Sequence, residues 1–119
     1  MIDYDKLKAE ALASQKKRSR VILEPGFDMV ICLHRDSYVR MHRHPRYEAY
    51  HILEGQLLIE VSDGLIIRTA DDPIMTIPPM EWHQPYAQSE YVIYREFYAG
   101  PFEKTRDVEY ASWKQKEAA

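Results

Sequence analysis

Apolar and polar positions divide the chain into a short helical start, a long stretch of strands and a polar end. Over residues 3–16, Leu7, Ala11 and Leu12 recur at helical spacing behind Asp3, a good capping residue, so a short helix is expected. Its apolar stripe is narrow, which suits a helix on the surface or against a partner subunit. From Val21 the pattern changes to short runs between turns. Residues 21–23 end at Glu24-Pro25-Gly26. Residues 29–33 are continuously apolar, as in a strand covered on both faces. Residues 38–44 alternate, with Tyr38, Arg40, His42 and His44 on one side and Val39, Met41 and Arg43 on the other. Residues 48–53 follow a tight connection and stop at Glu54-Gly55. Residues 56–61 and 65–69 flank Ser62-Asp63-Gly64, the strongest hairpin signal in the chain. Residues 74–77 end at Pro78-Pro79, and 83–86 and 91–98 complete the set. Short strands with frequent turns and almost no helix between them indicate an all-β fold, an antiparallel sandwich or barrel. After Gly100-Pro101 the chain turns polar. Residues 107–118 are expected to form a tail or short helix, docked through Tyr110 and Trp113. The organisation is one domain, 1–119, with an N-terminal arm (1–20), a β-barrel (21–100) and a C-terminal tail (101–119).

Alternation gives chemical meaning to residues 42–55, HRHPRYEAYHILEG. His42 and His44, two apart on a strand, project from one face. Pro45 and Arg46 break the run, and Glu48 starts the next strand facing back. Two imidazoles and a carboxylate converging on one point form a divalent-metal site with open positions. The fourth ligand must come from elsewhere, and His83 in PPMEWHQP is the best candidate. The expected cofactor is one divalent transition metal (Fe, Zn, Mn or Ni). The bland alternative is a His/Glu hydrogen-bond cluster in a barrel mouth. Glu48 and Arg40 are the catalytic candidates. By alternation Arg40 points inward beside His42, where it holds a ligand carboxylate or phosphate, or pairs with an inward acid such as Glu60 or Glu96. Tyr38 and Tyr50 share that face and could line the same cavity, as could Tyr86 from the loop after His83. His34, His51 and Trp82 read as packing or surface residues, and Cys32 as a small core residue.

The spacing also carries a resemblance. His-x-His, Glu after three residues and Gly after six more resembles the first cupin motif. Pro78 and His83 resemble the second, Pro-x-Gly-x-x-His, with Met80 where the motif has Gly and Ala87 where it often has Asn. YVRMHRHP, EWH and the tail REFYAGPFEKTRDVEYASW together are similar to the WbuC family of small cupin metalloproteins, encoded among bacterial surface-polysaccharide synthesis genes. The likeness covers roughly residues 30–113. It implies a cupin β-sandwich barrel of jelly-roll type, with His42, His44, Glu48 and His83 as metal ligands. It also implies a small oxygen-rich ligand such as a sugar or sugar nucleotide, handled by an isomerase or epimerase. An iron-dependent oxygenase, a non-catalytic metal- or ligand-sensing module, and a metal that only staples the barrel are the alternatives.

Composition narrows the setting. At 119 residues with 45% apolar content, the chain is long enough for one ordinary globular core. A formal charge of −3 argues against nucleic acid as a partner. There is no apolar run of membrane-spanning length, and MIDYDKLKAE lacks the apolar core of a signal peptide. The single Cys32 cannot form an intramolecular disulfide, so a reducing, cytoplasmic setting is expected. The basic run 16–20 reads as a solvated connector, with the alternative that Arg18 or Arg20 meets an anionic ligand at the pocket mouth. The chain is expected to be a homodimer, paired through a sheet face or an exchanged N-terminal segment.

Overall fold

The structure is a computed structural model, and it describes residues 1–26, 28–99 and 109–111. One helix, α1 (Tyr4–Ala13), precedes ten strands: β1 (Arg18–Glu24), β2 (Asp28–His34), β3 (His42–Arg43), β4 (Tyr47–Glu54), β5 (Gln56–Val61), β6 (Gly64–Thr69), β7 (Met75–Ile77), β8 (His83–Ala87), β9 (Tyr91–Ala99) and β10 (Glu109–Tyr110). They form two five-stranded antiparallel sheets, in the orders β1-β2-β9-β4-β7 and β10-β3-β8-β5-β6. Ile31, Leu33, Tyr50, Ile52 and Tyr94 from the first sheet meet Leu57, Ile59 and Ala87 from the second in one buried cluster. These positions are two apart on their strands, so strand alternation itself builds the inter-sheet core.

The continuously apolar β2 needs cover on both faces, and α1 supplies the outer one. Leu7 and Ala11 bury against Val30, Cys32 and Ile93 on the outside of the first sheet. Asp3 caps the helix by accepting from the Lys6 amide, and the Ser19 hydroxyl ties it to β1 through the Leu7 carbonyl at 2.7 Å. The helix therefore packs on its own chain's sheet. Among the described residues, no helix is long and apolar enough to cross a membrane.

The hairpin at Asp63-Gly64 forms as expected, joining β5 to β6 with Val61 opposite Gly64. Gly55 closes the turn between β4 and β5 at φ +82°, where an added Cβ would lie 2.2 Å from the Tyr91 carbonyl oxygen. No other residue fits that turn.

Three expectations are corrected. The first sheet begins at Arg18, so the basic stretch 18–20 belongs to an edge strand and is not a loose connector. Charged residues suit such an edge, because they discourage pairing with other chains. Residues 38–44 are not one strand: Tyr38 pairs with Tyr86 through a single bridge, and only His42–Arg43 form a ladder. In the tail, Glu109–Tyr110 are a strand against β3, held by an Arg43–Glu109 ion pair at 2.9 Å, where a tail or short helix over 107–118 was expected. Trp113 and the rest of that expected helix lie outside the described residues.

Candidate metal centre

Three strands and one connector converge at one end of the sandwich. His42 opens β3 and sits opposite His83, the first residue of β8. His44 follows two residues on, before Pro45 turns the chain. Glu48 is the first inward residue of β4. One donor atom from each of the four lies within 4.8 Å of the others, and all four side chains are buried. The sequence expectation for this set and the geometry coincide.

Backbone carbonyls orient two of the rings. His42 Nδ1 donates to the Arg40 carbonyl at 2.6 Å, and His83 Nδ1 donates to the Glu81 carbonyl at 2.8 Å. A carbonyl only accepts, so the proton sits on Nδ1 and each Nε2 turns a lone pair inward. His83 Nε2 then faces Glu48 Oε2 at 3.0 Å, and His44 Nε2 bonds the same oxygen. Lone pair facing carboxylate requires a cation between them, either a proton or a metal ion. Glu48 Oε1 and His44 Nδ1 are buried and, among the described residues, have no hydrogen-bond partner. Three nitrogens and a carboxylate, buried and incompletely satisfied, fit a divalent transition ion.

The charges follow the geometry. Burial would raise the Glu48 carboxyl, but bonds from His44 and His83 overcome it and hold the group well below the ordinary carboxylate range. Burial, followed by the neighbouring His83, lowers the His42 imidazole to about 4. Burial works the same way on His83, yet its bond to Glu48 prevails and raises it.

A cavity of about 490 Å³ opens over the cluster. His42, His44, Tyr50, Tyr94, Tyr98 and Glu96 face it, with Arg18 and Arg20 at its edge. Tyr50 is placed as expected, and its hydroxyl donates to Glu96 Oε1 at 3.5 Å. Burial first, then the Glu48 charge, raises the Tyr50 phenol well above its usual value and that of Tyr98 to about 12, so both remain hydrogen-bond donors. Sequence reading missed Tyr94 and Tyr98, and treated Glu96 only as a partner for Arg40. The register held the clue: Glu48, Tyr50 and Ile52 on β4 sit opposite Tyr98, Glu96 and Tyr94 on β9. Arg18 and Arg20 share the face of their register partners Leu33 and Ile31, the inner one.

Arg40 does not point inward. It is exposed, and its guanidinium lies 4.2 Å from the centre of the Tyr110 ring. The cause is the interrupted strand: the Val39 amide bonds the Pro85 carbonyl, and Val39 takes the inward place against the core. Among the described residues no ion pair joins Arg40 to either acid proposed for it; Glu60 accepts from Tyr86 and Glu96 from Tyr50. Arg40 and Tyr38 line a second, adjoining cavity of about 430 Å³. The Tyr86 ring lies 6.0 Å from that of Tyr38, outside the metal cavity. His34 packs edge-on against Tyr91, and Trp82 receives the Arg43 guanidinium. Cys32 is fully buried, and burial pushes its thiol up to about 11.

Met80 stands where the second motif has glycine, and it adopts that residue's backbone, φ +64°. Its amide donates to the His44 carbonyl at 2.8 Å, so the turn that delivers His83 is also clamped to a neighbouring ligand. A side chain in the left-handed region is strained by about 1–2 kcal/mol, part of which glycine returns through its freer unfolded state. Met80→Gly is therefore expected to raise the unfolding free energy by about 0.5–1 kcal/mol in urea titration. A loss of stability would show that the methionine side chain contributes more than its backbone costs.

No protein-family model and no curated protein matches the chain. Solved structures do. A cupin 2 conserved barrel domain protein from Rhodopseudomonas palustris superposes with a TM-score of 0.62 at 17% identity, covering 84% of this chain and 70% of that one. An uncharacterised double-stranded β-helix protein from Klebsiella pneumoniae gives 0.66 at 19% identity, covering 93% and 90%. A sugar phosphate isomerase from a cupin superfamily, from Silicibacter pomeroyi, gives 0.61 at 15% identity, covering 74% and 66%. At such identities the likeness is one of fold. The chain thus has the cupin fold, with His42, His44, Glu48 and His83 grouped in its mouth where they could hold a metal ion.

Proposed function

We propose that the protein is a mononuclear metal-dependent isomerase or epimerase of a small oxygen-rich ligand, a sugar or sugar nucleotide. The observation that supports this most is the cavity that reaches the donor cluster at His42 and His44 and is lined by Tyr50, Tyr94, Tyr98 and the Glu96 carboxylate. A divalent ion bound there supplies a Lewis acid for a carbonyl or hydroxyl oxygen. Glu48, fully buried between His44 and His83, serves as a ligand and is poorly placed to pass a proton to substrate. Glu96 suits the proton-moving role better, being half-buried on the cavity wall beside the Tyr50 hydroxyl. Tyr50, kept protonated, orients a ligand oxygen. The fold likeness to the Silicibacter pomeroyi sugar phosphate isomerase supports the same reading. Within it the protein is a cytoplasmic homodimer, paired through a sheet face or an exchanged N-terminal segment.

The test is proton exchange. Protein loaded in turn with Fe(II), Zn(II), Mn(II) or Ni(II) is incubated in deuterium oxide with a panel of aldoses, ketoses and their phosphates. Deuterium is expected to enter beside the carbonyl of at least one, with the rate falling about 100-fold or more in Glu96→Gln. Fully loaded protein that exchanges nothing across the panel would remove the isomerase reading. A large chelator-induced loss of stability together with that silence would favour the staple.

A further inference from the structure

The second cavity is cationic in a chain that is acidic overall. Lys16, Lys17, Arg18 and Arg40 line it, against one carboxylate, Asp36. The formal charge of the whole chain is −3, so this concentration is local. Among the described residues, none of the ion pairs involves any of these four cations. Their backbone is fixed. The Lys17 amide bonds the Ser14 carbonyl, the His34 amide bonds the Lys17 carbonyl, and the Ser37 hydroxyl bonds the Lys16 carbonyl at 2.8 Å. The Arg40 guanidinium lies over the Tyr110 ring, 4.2 Å from its centre, a contact to the ring face that does not use its N–H donors for an anion. Lys17 Nζ already donates to the Leu12 carbonyl at 2.7 Å, which leaves Lys16, Arg18 and Arg40 for an anion, and several cations together favour a multiply charged phosphate over a single carboxylate.

The two cavities adjoin. Lys16, Arg18, Val39 and Tyr110 line both, so the two cavities are immediate neighbours. We propose that this second cavity is a phosphate subsite for a small organic phosphate whose reacting end reaches the metal centre. The inference rests on the proposed function for that reacting end, but the subsite can be tested without it. Lys16 and Arg40 then select phosphorylated over neutral substrates, and Tyr38 on the same wall flanks the phosphate.

The probe is inorganic pyrophosphate, titrated calorimetrically into the full chain after chelator treatment. One saturable site per chain is expected. Lys16→Gln/Arg40→Gln should weaken it at least tenfold, while Arg68→Gln, a cation lining neither cavity, should leave it unchanged. His44→Ala should also bind pyrophosphate normally, because the subsite does not need the ion; a failed metal centre and a failed subsite are thereby told apart. In Mn(II)-loaded protein the ³¹P signal should broaden through proximity, and that broadening should vanish in the double variant while Mn(II) stays bound. The absence of saturable binding, equal binding by the double variant, or broadening that survives in it would each overturn the subsite. Oxalate binding as tightly as pyrophosphate would overturn its assignment to phosphate.

Discussion

Replacing His44 with alanine is expected to lower metal affinity by more than about 100-fold while leaving the fold in place. Loss of an outer hydrogen-bond partner alone costs about 10–100-fold at metal sites, and His44 is one of four direct donors. The fold should survive because His44 stands at the mouth, before Pro45, and is not part of the inter-sheet core formed by Leu33, Ile52, Leu57 and Ile59. Elemental analysis after dialysis, beside circular dichroism, reads both halves of this expectation. Unchanged stoichiometric metal in a folded variant would refute the assignment of this ligand.

Glu48→Gln is expected to have the larger effect on stability. Glu48 is fully buried and bonded to two imidazoles, so removing its charge strands the groups around it. Breaking a buried pair from one side costs about 3 kcal/mol or more, read as a lower urea midpoint for metal-free protein at pH 7. The wild-type protein should also lose stability in acid, and the signs can be followed group by group. The lowered Glu48 carboxyl contributes stability above its ordinary value of 4.5, which is lost as pH falls through its folded value. His42, lowered from 6.5 to about 4, contributes stability above pH 6.5 that is lost between those two values. His83 is raised, so its contribution is present below 6.5 and fades as pH rises through its folded value. Between pH 6.5 and 4 the His42 loss decides, so metal-free protein should unfold more readily at pH 4 than at 6.5, and the Glu48 loss adds to it below 4.5. The Glu48→Gln variant should show a shallower acid dependence, and a bound ion at a thousand times its Kd should add about 4 kcal/mol to the wild type. A variant within about 1 kcal/mol of wild type, with the same acid profile, would contradict the role given to this carboxylate.

The four donors were legible in the sequence because each depends on local spacing. His42 and His44 are separated by one residue, and Glu48 follows across one turn. The continuous run in β2 likewise announced cover on two faces, which α1 and the second sheet provide. Arg40 was misplaced because period-two alternation holds only while a ladder is continuous, and β3 is two residues long. The β10 strand was invisible for another reason: Tyr110 pairs with His42, a long-range contact that leaves no local pattern in a polar tail. Arg18 and Arg20 looked like a connector because charge masked strand periodicity, although edge strands commonly carry charge. Tyr94, Glu96 and Tyr98 obey alternation, but their meaning needed the register that sets them opposite Glu48 and Tyr50.

X-ray absorption at the metal edge of the loaded protein addresses the four-donor site most directly. The expected spectrum is one ion per chain with three imidazole nitrogens and a carboxylate oxygen at about 2.0–2.2 Å, the imidazole signal falling by one ring in His83→Ala. An ion bound without imidazole, or a spectrum identical in that variant, would contradict it.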